Sequence, residues 1–354
     1  MADPRALDRR ARDFRIASLV VAVVSLVFLL WLLLSIGGTH TTDAVDDLGE
    51  LVAALAAAAA CAIAAHHLTS GRSAWNLLGL SALAWAAGEG AWTYYDLIRG
   101  IQVPFPSLAD IGFLAAVPLA VAGLLLFPSS PRRAADRVQG ILDGCIIAGS
   151  ILFASWVTVL EPLYNKHQGG FFDQALSLAY PASDVVMVAL VFILFSRAGQ
   201  KGRASLGLVM AGLIAFAVAD SAFSYMTEVH NYGTGTFLDT GWVAGYLLIG
   251  LGALRAAHSP STAQAEPRVT TLSLVAPYVP VLVVLAVTAV ELLLGHHVGN
   301  VGWTMVFALA LLVLGRQLLS LWDHRVRDSN DARSEGPDDF SSSAPDVRPA
   351  LTGH

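Results

Sequence analysis

Along this chain the apolar residues neither alternate nor recur at a helical period. They run in long, almost uncharged blocks separated by short polar breaks. The blocks fall near residues 16–36, 48–65, 73–95, 108–127, 138–160, 173–195, 204–226, 237–256, 272–294 and 300–321. A helix rises 1.5 Å per residue, so about 20 residues cross roughly 30 Å of hydrocarbon. The pattern predicts an all-α, polytopic integral membrane protein with about ten transmembrane helices. The block at 48–65 is the weakest, being rich in Ala and carrying Glu50; losing it would leave nine. After Trp322 the chain turns polar and has too little apolar surface to bury. Three regions are therefore expected: a cytoplasmic segment 1–15, a transmembrane helical domain 16–321 and a disordered cytoplasmic tail 322–354.

Composition and charge add an environment and an orientation. The 354 residues are 55% hydrophobic and 14% charged, against roughly 25% charged in soluble domains. Of the 21 Lys and Arg residues, 19 lie in the N-terminal segment, the even-numbered breaks and the tail from Arg316 onward. Only Arg99 and Lys166 lie in the odd-numbered breaks, which carry Asp43, Asp46, Asp47, Asp96, Glu161, Asp173 and Glu228. By the positive-inside rule the chain is a multi-pass protein of the cell membrane with both termini cytoplasmic. Its partner is the lipid bilayer; no basic, aromatic patch suggests nucleic acid. Arg9 and Arg10 faintly suggest a twin-arginine signal, but the following apolar run is too long and lacks a small-residue cleavage site. Cys61 and Cys145 both fall in apolar blocks, where a free thiol behaves as a small hydrophobe.

An internal repeat emerges from the polar residues that remain. Glu89-Gly-Ala-Trp92-Thr-Tyr94 closes the third block and Asp220-Ser-Ala-Phe223-Ser-Tyr225 closes the seventh. Asp110-Ile-Gly112-Phe113 and Asp239-Thr-Gly241-Trp242 open the blocks that follow. The fifth and sixth blocks resemble a degenerate third copy, with Trp156 before the break and Tyr180-Pro181-Ala-Ser-Asp184 after it. Three helix-pair repeats of parallel orientation are expected, near 73–127, 138–195 and 204–256. Inverted repeats, common in secondary transporters, would have opposite orientation.

The acids of this repeat are the candidate chemistry. Ser107 with Asp110, and Thr236 with Asp239, have capping-box spacing, which alone accounts for both aspartates. Glu89 and Asp220 lie deep in their blocks, where an ionised carboxylate costs several kcal/mol unless paired. Neither block offers a nearby Lys or Arg partner. Each must be protonated, hydrogen-bonded to a neighbour such as Tyr94, Tyr225 or Trp242, or coordinated to a cation or cationic ligand. Asp184 should lie near mid-membrane, and Glu89, Asp184 and Asp220 are expected to share one pocket. The candidate ligand-binding set is Glu89, Trp92, Tyr94, Asp110, Asp184, Asp220, Tyr225, Asp239 and Trp242. For Trp85, Trp92, Trp156, Trp242 and Trp303 an interfacial belt is the first expectation and an aromatic-lined ligand pocket the second. The adjacent pairs His66-His67 and His296-His297 diverge by about 100° on a helix and do not suggest a metal site. Gly140-x-x-x-Gly144 and Gly241-x-x-x-Gly245 permit close helix crossings. No metal, cofactor or catalytic residue is expected, since no HExxH, P-loop, GxSxG or CxxC motif occurs.

Between about residues 75 and 322 the chain resembles the multi-helix membrane sensory region found N-terminal to GGDEF and EAL domains in actinobacterial cyclic-di-GMP signalling proteins. The resemblance is carried by Pro106-Ser107-Leu-Ala-Asp110, Leu142-Asp143-Gly144, Ala179-Tyr180-Pro181-x-x-Asp184, Ala219-Asp220 and Asp239-x-Gly241-Trp242. It extends through Gly252-Ala253-Leu254, Pro277-Tyr278-x-Pro280 and Arg316-Gln317. It implies a sensory input region whose last helix passes a signal to a cytoplasmic output domain. Neither a Gly-Gly-Asp/Glu-Glu-Phe nor a Glu-Ala-Leu signature occurs, so no cyclase or phosphodiesterase activity is carried over. The leading expectation is a stand-alone membrane sensory or signal-transducing module with an acidic and aromatic pocket in its outer half. It would take a small ligand from the outer side and act through a separate cytoplasmic output protein. The alternatives are a transporter or channel using intramembrane carboxylates, and a structural membrane assembly protein.

Overall fold

The computed structural model describes residues 4–127, 134–157, 161, 171–197, 200–228, 233–258, 279–293 and 299–334. Ten helices lie among them: α1 (Pro4–Leu34), α2 (Thr39–His67), α3 (Arg72–Thr93), α4 (Leu108–Leu125), α5 (Ala134–Ser155), α6 (Phe171–Arg197), α7 (Gln200–Glu228), α8 (Thr240–His258), α9 (Val279–Leu293) and α10 (Asn300–Ser334). A π-helical turn, Tyr94–Ile98, prolongs α3, and a 3-10 turn, Phe237–Asp239, leads into α8. Segments of α1, α2, α4, α7, α8 and α10 are long and apolar enough to cross a membrane. Their surfaces fit that environment. Leu19, Leu26 and Leu33 on α1 and Phe307, Leu314 and Leu318 on α10 are all exposed, as suits helices facing hydrocarbon. The regular structure among the described residues is all helical, and the six apolar helices suit a membrane-associated protein.

The core forms around α2, the block with the weakest apolar signal. It lies between α3 and α8 and buries Ala53, Ala54, Ala57, Ala58, Cys61 and Ala64. A Cβ at Gly79 of α3 would meet Cys61 Cβ at 3.2 Å, and one at Gly250 of α8 would meet Ala57 Cα at 3.3 Å. Small side chains on both faces let three backbones approach closely. The Ala content that lowers the hydropathy of α2 is thus what permits its central place.

The pairs α3–α4 and α7–α8 cross at corresponding residues. A Cβ at Gly112 would overlap the Gly88 backbone and lie 2.7 Å from the Ala84 carbonyl oxygen; at Gly241 it would meet Ala219 Cβ at 2.8 Å and the Ala215 oxygen at 3.1 Å. Near the other end, Gly123 faces Ala74 and Leu78, and Gly252 faces Ser205 and Val209. Between these crossings Ser81 Oγ donates to the Ala116 oxygen at 2.8 Å, where the second pair sets Gly212 against the Gly245 oxygen. The shift is 131 from α3 to α7 (84 to 215, 74 to 205) and 129 from α4 to α8 (112 to 241, 123 to 252).

Two boundaries differ from the sequence expectation. Helix α2 begins at Thr39 rather than near 48, just after Gly37 and Gly38, whose φ values of 89° and 84° turn the chain back from α1. Asp43, Asp46 and Asp47, expected in an outer break, are therefore helical. Helix α10 does not stop near 321 but continues to Ser334, through part of the region expected to be a disordered tail. Residues 335–354 of that tail and 272–278 of the ninth block lie outside the described residues.

Candidate functional site

Starting α2 at Thr39 puts Asp46 and Glu50 one turn apart on one face of the helix. Together with Asp47 they meet Glu89 from the end of α3 and Asp239 from the turn before α8. All five are buried: Asp46 and Asp47 are 2% exposed, Glu50 6%, Glu89 3% and Asp239 0%. Carboxylate oxygens of Asp46, Glu50 and Asp239 lie within 4.8 Å of one another. Glu50 and Glu89 are within hydrogen-bonding reach, as are Asp46 and Asp239. The Gly235 N–H donates to Asp46 Oδ2 at 2.7 Å. Gly235 has a φ of 84°, and a Cβ there would press on Thr42 and Asp43, so glycine suits this approach. Asp239 also closes the expected capping box: the Thr236 N–H donates to its Oδ2 at 2.7 Å and the Thr236 hydroxyl to its Oδ1 at 3.1 Å. Asp46 Oδ1 and Asp47 Oδ2 are buried without a hydrogen-bond partner. Asp43 and Asp96 continue the acidic series toward the surface and lie in electrostatic contact with Asp47. Burial raises the Asp96 carboxyl above the usual carboxylate range, and nearby His40 opposes that rise.

A second cluster joins α6 to α4, α7 and α8. Asp110 caps α4, accepting the Ser107 N–H at 2.6 Å, and Ser107 Oγ in turn accepts the Ala109 N–H at 3.2 Å. The Tyr180 hydroxyl of α6 donates to the other Asp110 oxygen. One turn on, Asp184 is within hydrogen-bonding reach of Asp220, and the Trp242 indole N–H donates to Asp220 Oδ1 at 2.6 Å. The two clusters correspond residue by residue. A shift of 134 takes Asp46 to Tyr180 and Glu50 to Asp184, the helix-pair shift of 131 takes Glu89 to Asp220, and that of 129 relates Asp110 to Asp239. Asp46 meets Asp239 as Tyr180 meets Asp110, and Glu50 meets Glu89 as Asp184 meets Asp220.

The single pocket expected from Glu89, Asp184 and Asp220 is corrected to two sites. Asp184, Asp220 and Trp242 come together, whereas Glu89 joins Glu50 across the bundle. Tyr246 lies buried between them, in electrostatic reach of Asp220 on one side and of Glu50 and Glu89 on the other. Tyr94 is 45% exposed and packs on Tyr95 rather than reaching Glu89. Trp92 is half-buried, edge-on to Phe223 at 6.4 Å; the Tyr225 side chain lies outside the described residues. The belt expectation fails for two tryptophans. Trp242 is buried on Asp220, and Trp85 packs inside the bundle against Phe113, Phe216 and Tyr246. Trp303, 49% exposed, suits a belt.

Sequence reasoning left Asp46, Asp47 and Glu50 out of the candidate set. The available signal was the one-turn spacing of Asp46 and Glu50, which matters only once 39–47 is known to be helical. Away from these clusters, Arg316 of α10 donates to Asp143 of α5 at 2.8 Å. No protein-family model, curated protein or solved structure matches the chain.

Proposed function

We propose that this protein is a multi-pass membrane signalling module of ten spans, with both termini cytoplasmic, that receives a small ligand in its buried acid layer and transmits the response through α10. The observation that carries this is the placement of the acids. Side chains from α2, α3, α4, α6, α7 and α8 converge at one end of the bundle, and intramembrane acids without basic partners are functional candidates. The output end is supported by α10, whose 35 residues give about 52 Å of helix, well beyond the roughly 30 Å hydrocarbon thickness. A physical route joins the two ends. Helix α6, bearing Tyr180 and Asp184, packs on α5, and α5 holds α10 through the Asp143–Arg316 pair.

Ten spans are favoured because α3 runs beside α4 from the Gly88–Gly112 crossing to the Ala74–Gly123 crossing. A helix so paired shares its partner's depth. The corresponding contacts of α3–α4 and α7–α8 support two parallel helix-pair copies, with α2 and α6 in matching places beside them. The resemblance to cyclic-di-GMP input regions is consistent with a cytoplasmic signalling partner at the end of α10.

The test is a chimaera carrying a reporter output domain after Ser334. Glu89→Gln and Asp220→Asn should leave membrane insertion intact and change reporter output several-fold; unchanged output in both would sink the signalling function. A transporter is the second reading, favoured by acids held between two same-orientation halves, an arrangement transporters also use. Flux driven by a pH or cation gradient in proteoliposomes would select it. Substitutions that alter only stability would leave a structural role.

A further inference from the structure

The two clusters differ in hydrogen-bond donors. Asp110 receives a phenol and Asp220 an indole N–H. At the corresponding positions of the α2 cluster stand Asp46, a carboxylate, and Phe113, which has no donor. Five carboxylates are buried there, and the donors reaching them include the Gly235 and Thr236 N–H groups and the Thr236 hydroxyl. Two oxygens in this layer, Asp46 Oδ1 and Asp47 Oδ2, are buried with no hydrogen-bond partner, against one, Asp184 Oδ2, among the described residues of the other cluster. A buried carboxylate oxygen without a donor is strongly disfavoured unless a cation or a shared proton meets it.

We propose that Asp46, Glu50 and Asp239 form a binding site for a divalent cation that takes oxygen ligands, with Glu89 and Asp47 as adjoining carboxylates. This assignment rests on the acid layer being the ligand site proposed above and names the class of its ligand. Oxygen-only donors select hard cations. The three oxygens all lie within 4.8 Å of one another, close enough for one ion with oxygen ligands at about 2.3–2.6 Å to touch all of them. The charge count favours a divalent ion, because up to five negative charges share one desolvated layer. Access is provided by Asp43 and Asp96, which carry the acidic series to the surface beside His40 and draw cations inward. The Gly235 segment lies over Asp46 and fixes its second oxygen. The Tyr180–Asp110 pair shows the same place filled by a donor instead of an ion.

The full chain, purified in mild detergent and stripped with chelator, is titrated calorimetrically with Ca2+, Mg2+ and Mn2+. Saturable binding of one divalent ion is expected, weakened at least tenfold by Asp46→Asn and by Glu50→Gln and unchanged by Asp13→Asn, an exposed acid outside the cluster. Size-exclusion elution and helical circular dichroism check that each variant is folded. A second measurement needs no variant: Tb3+ bound beside Tyr246 should give aromatic-sensitised emission that Ca2+ displaces. Absence of saturable binding by all three ions, binding that survives both substitutions, or Tb3+ emission that Ca2+ does not displace would each overturn the site. Such a failure is separable from failure of the signalling function, which is read from the reporter chimaera without any cation.

Discussion

In the cluster around α6, a carboxylate buried at the end of the bundle is met by the hydroxyl of Tyr180 or the indole of Trp242. In the cluster around α2, the same places hold Asp46 and Phe113, which bring no hydroxyl or indole donor, and carboxylates of Asp46, Glu50 and Asp239 stand close together. The backbones that present the two sets correspond closely, and the difference lies in which side chains can donate. A hydrogen bond to a charged group contributes about 1.5–3 kcal/mol, and a buried acceptor left without one costs a similar amount. The α6 cluster is therefore better supplied with donors for its carboxylates, although Asp184 Oδ2 is buried there without a hydrogen-bond partner. The α2 cluster gathers five buried carboxylates with fewer side-chain donors beside them, which is the observation behind the proposed cation site.

Several substitutions would break or sharpen that contrast, and unfolding in mixed micelles measures each of them. The largest effect is expected where the two scaffolds differ in tightness. Gly112→Ala drives a methyl group into the Gly88 backbone and should cost about 3 kcal/mol, whereas Gly241→Ala meets mainly the Ala219 side chain and should cost about 1–2 kcal/mol. Equal costs would show that the crossings relax alike. Next, Trp242→Phe makes the α6 cluster resemble its counterpart by removing the indole from Asp220, at a cost of about 2–3 kcal/mol. Tyr180→Phe removes the phenol from Asp110 with little change in volume and should cost about 1–2 kcal/mol. The smallest effect has the opposite sign. Asp46→Asn gives the α2 cluster a donor and should stabilise the chelator-treated protein by about 1 kcal/mol while abolishing any cation-dependent rise in its unfolding temperature. A destabilised, still cation-responsive variant would contradict the contrast between the clusters.

Much of the scaffold could be read from local pattern. Each of the ten apolar blocks overlaps a helix among the described residues, six of them long and apolar enough to cross a membrane, because a run of about 20 apolar residues has few alternatives to helix. Both capping boxes form as spaced, since Ser107 with Asp110 and Thr236 with Asp239 act within one turn. The partner of Asp220 was among those expected, because Trp242 opens the helix that crosses it. The α2 cluster was not legible. Asp43, Asp46 and Asp47 read as polar punctuation, and the Ala-rich block after them gave the weakest signal in the chain. Asp46 and Asp47 are buried at the start of a helix whose later turns pack closely on Gly79 and Gly250, with Gly235 over Asp46, and all three glycines stand far away in sequence.

The sequence by itself determined an all-helical, strongly apolar chain, the positions of its helices, and the two capped acids at Asp110 and Asp239. Those features depend on interactions spanning a few residues, so local composition and spacing suffice. Tertiary structure alone decided that Glu89 meets Glu50 rather than Asp220, that Trp85 and Trp242 face inward, and that Asp46 stands where Tyr180 stands in the other cluster. Each of these is set by which helices pack side by side. A carboxylate's meaning depends on the donors its neighbours bring, and in this bundle those neighbours come from helices distant in the chain.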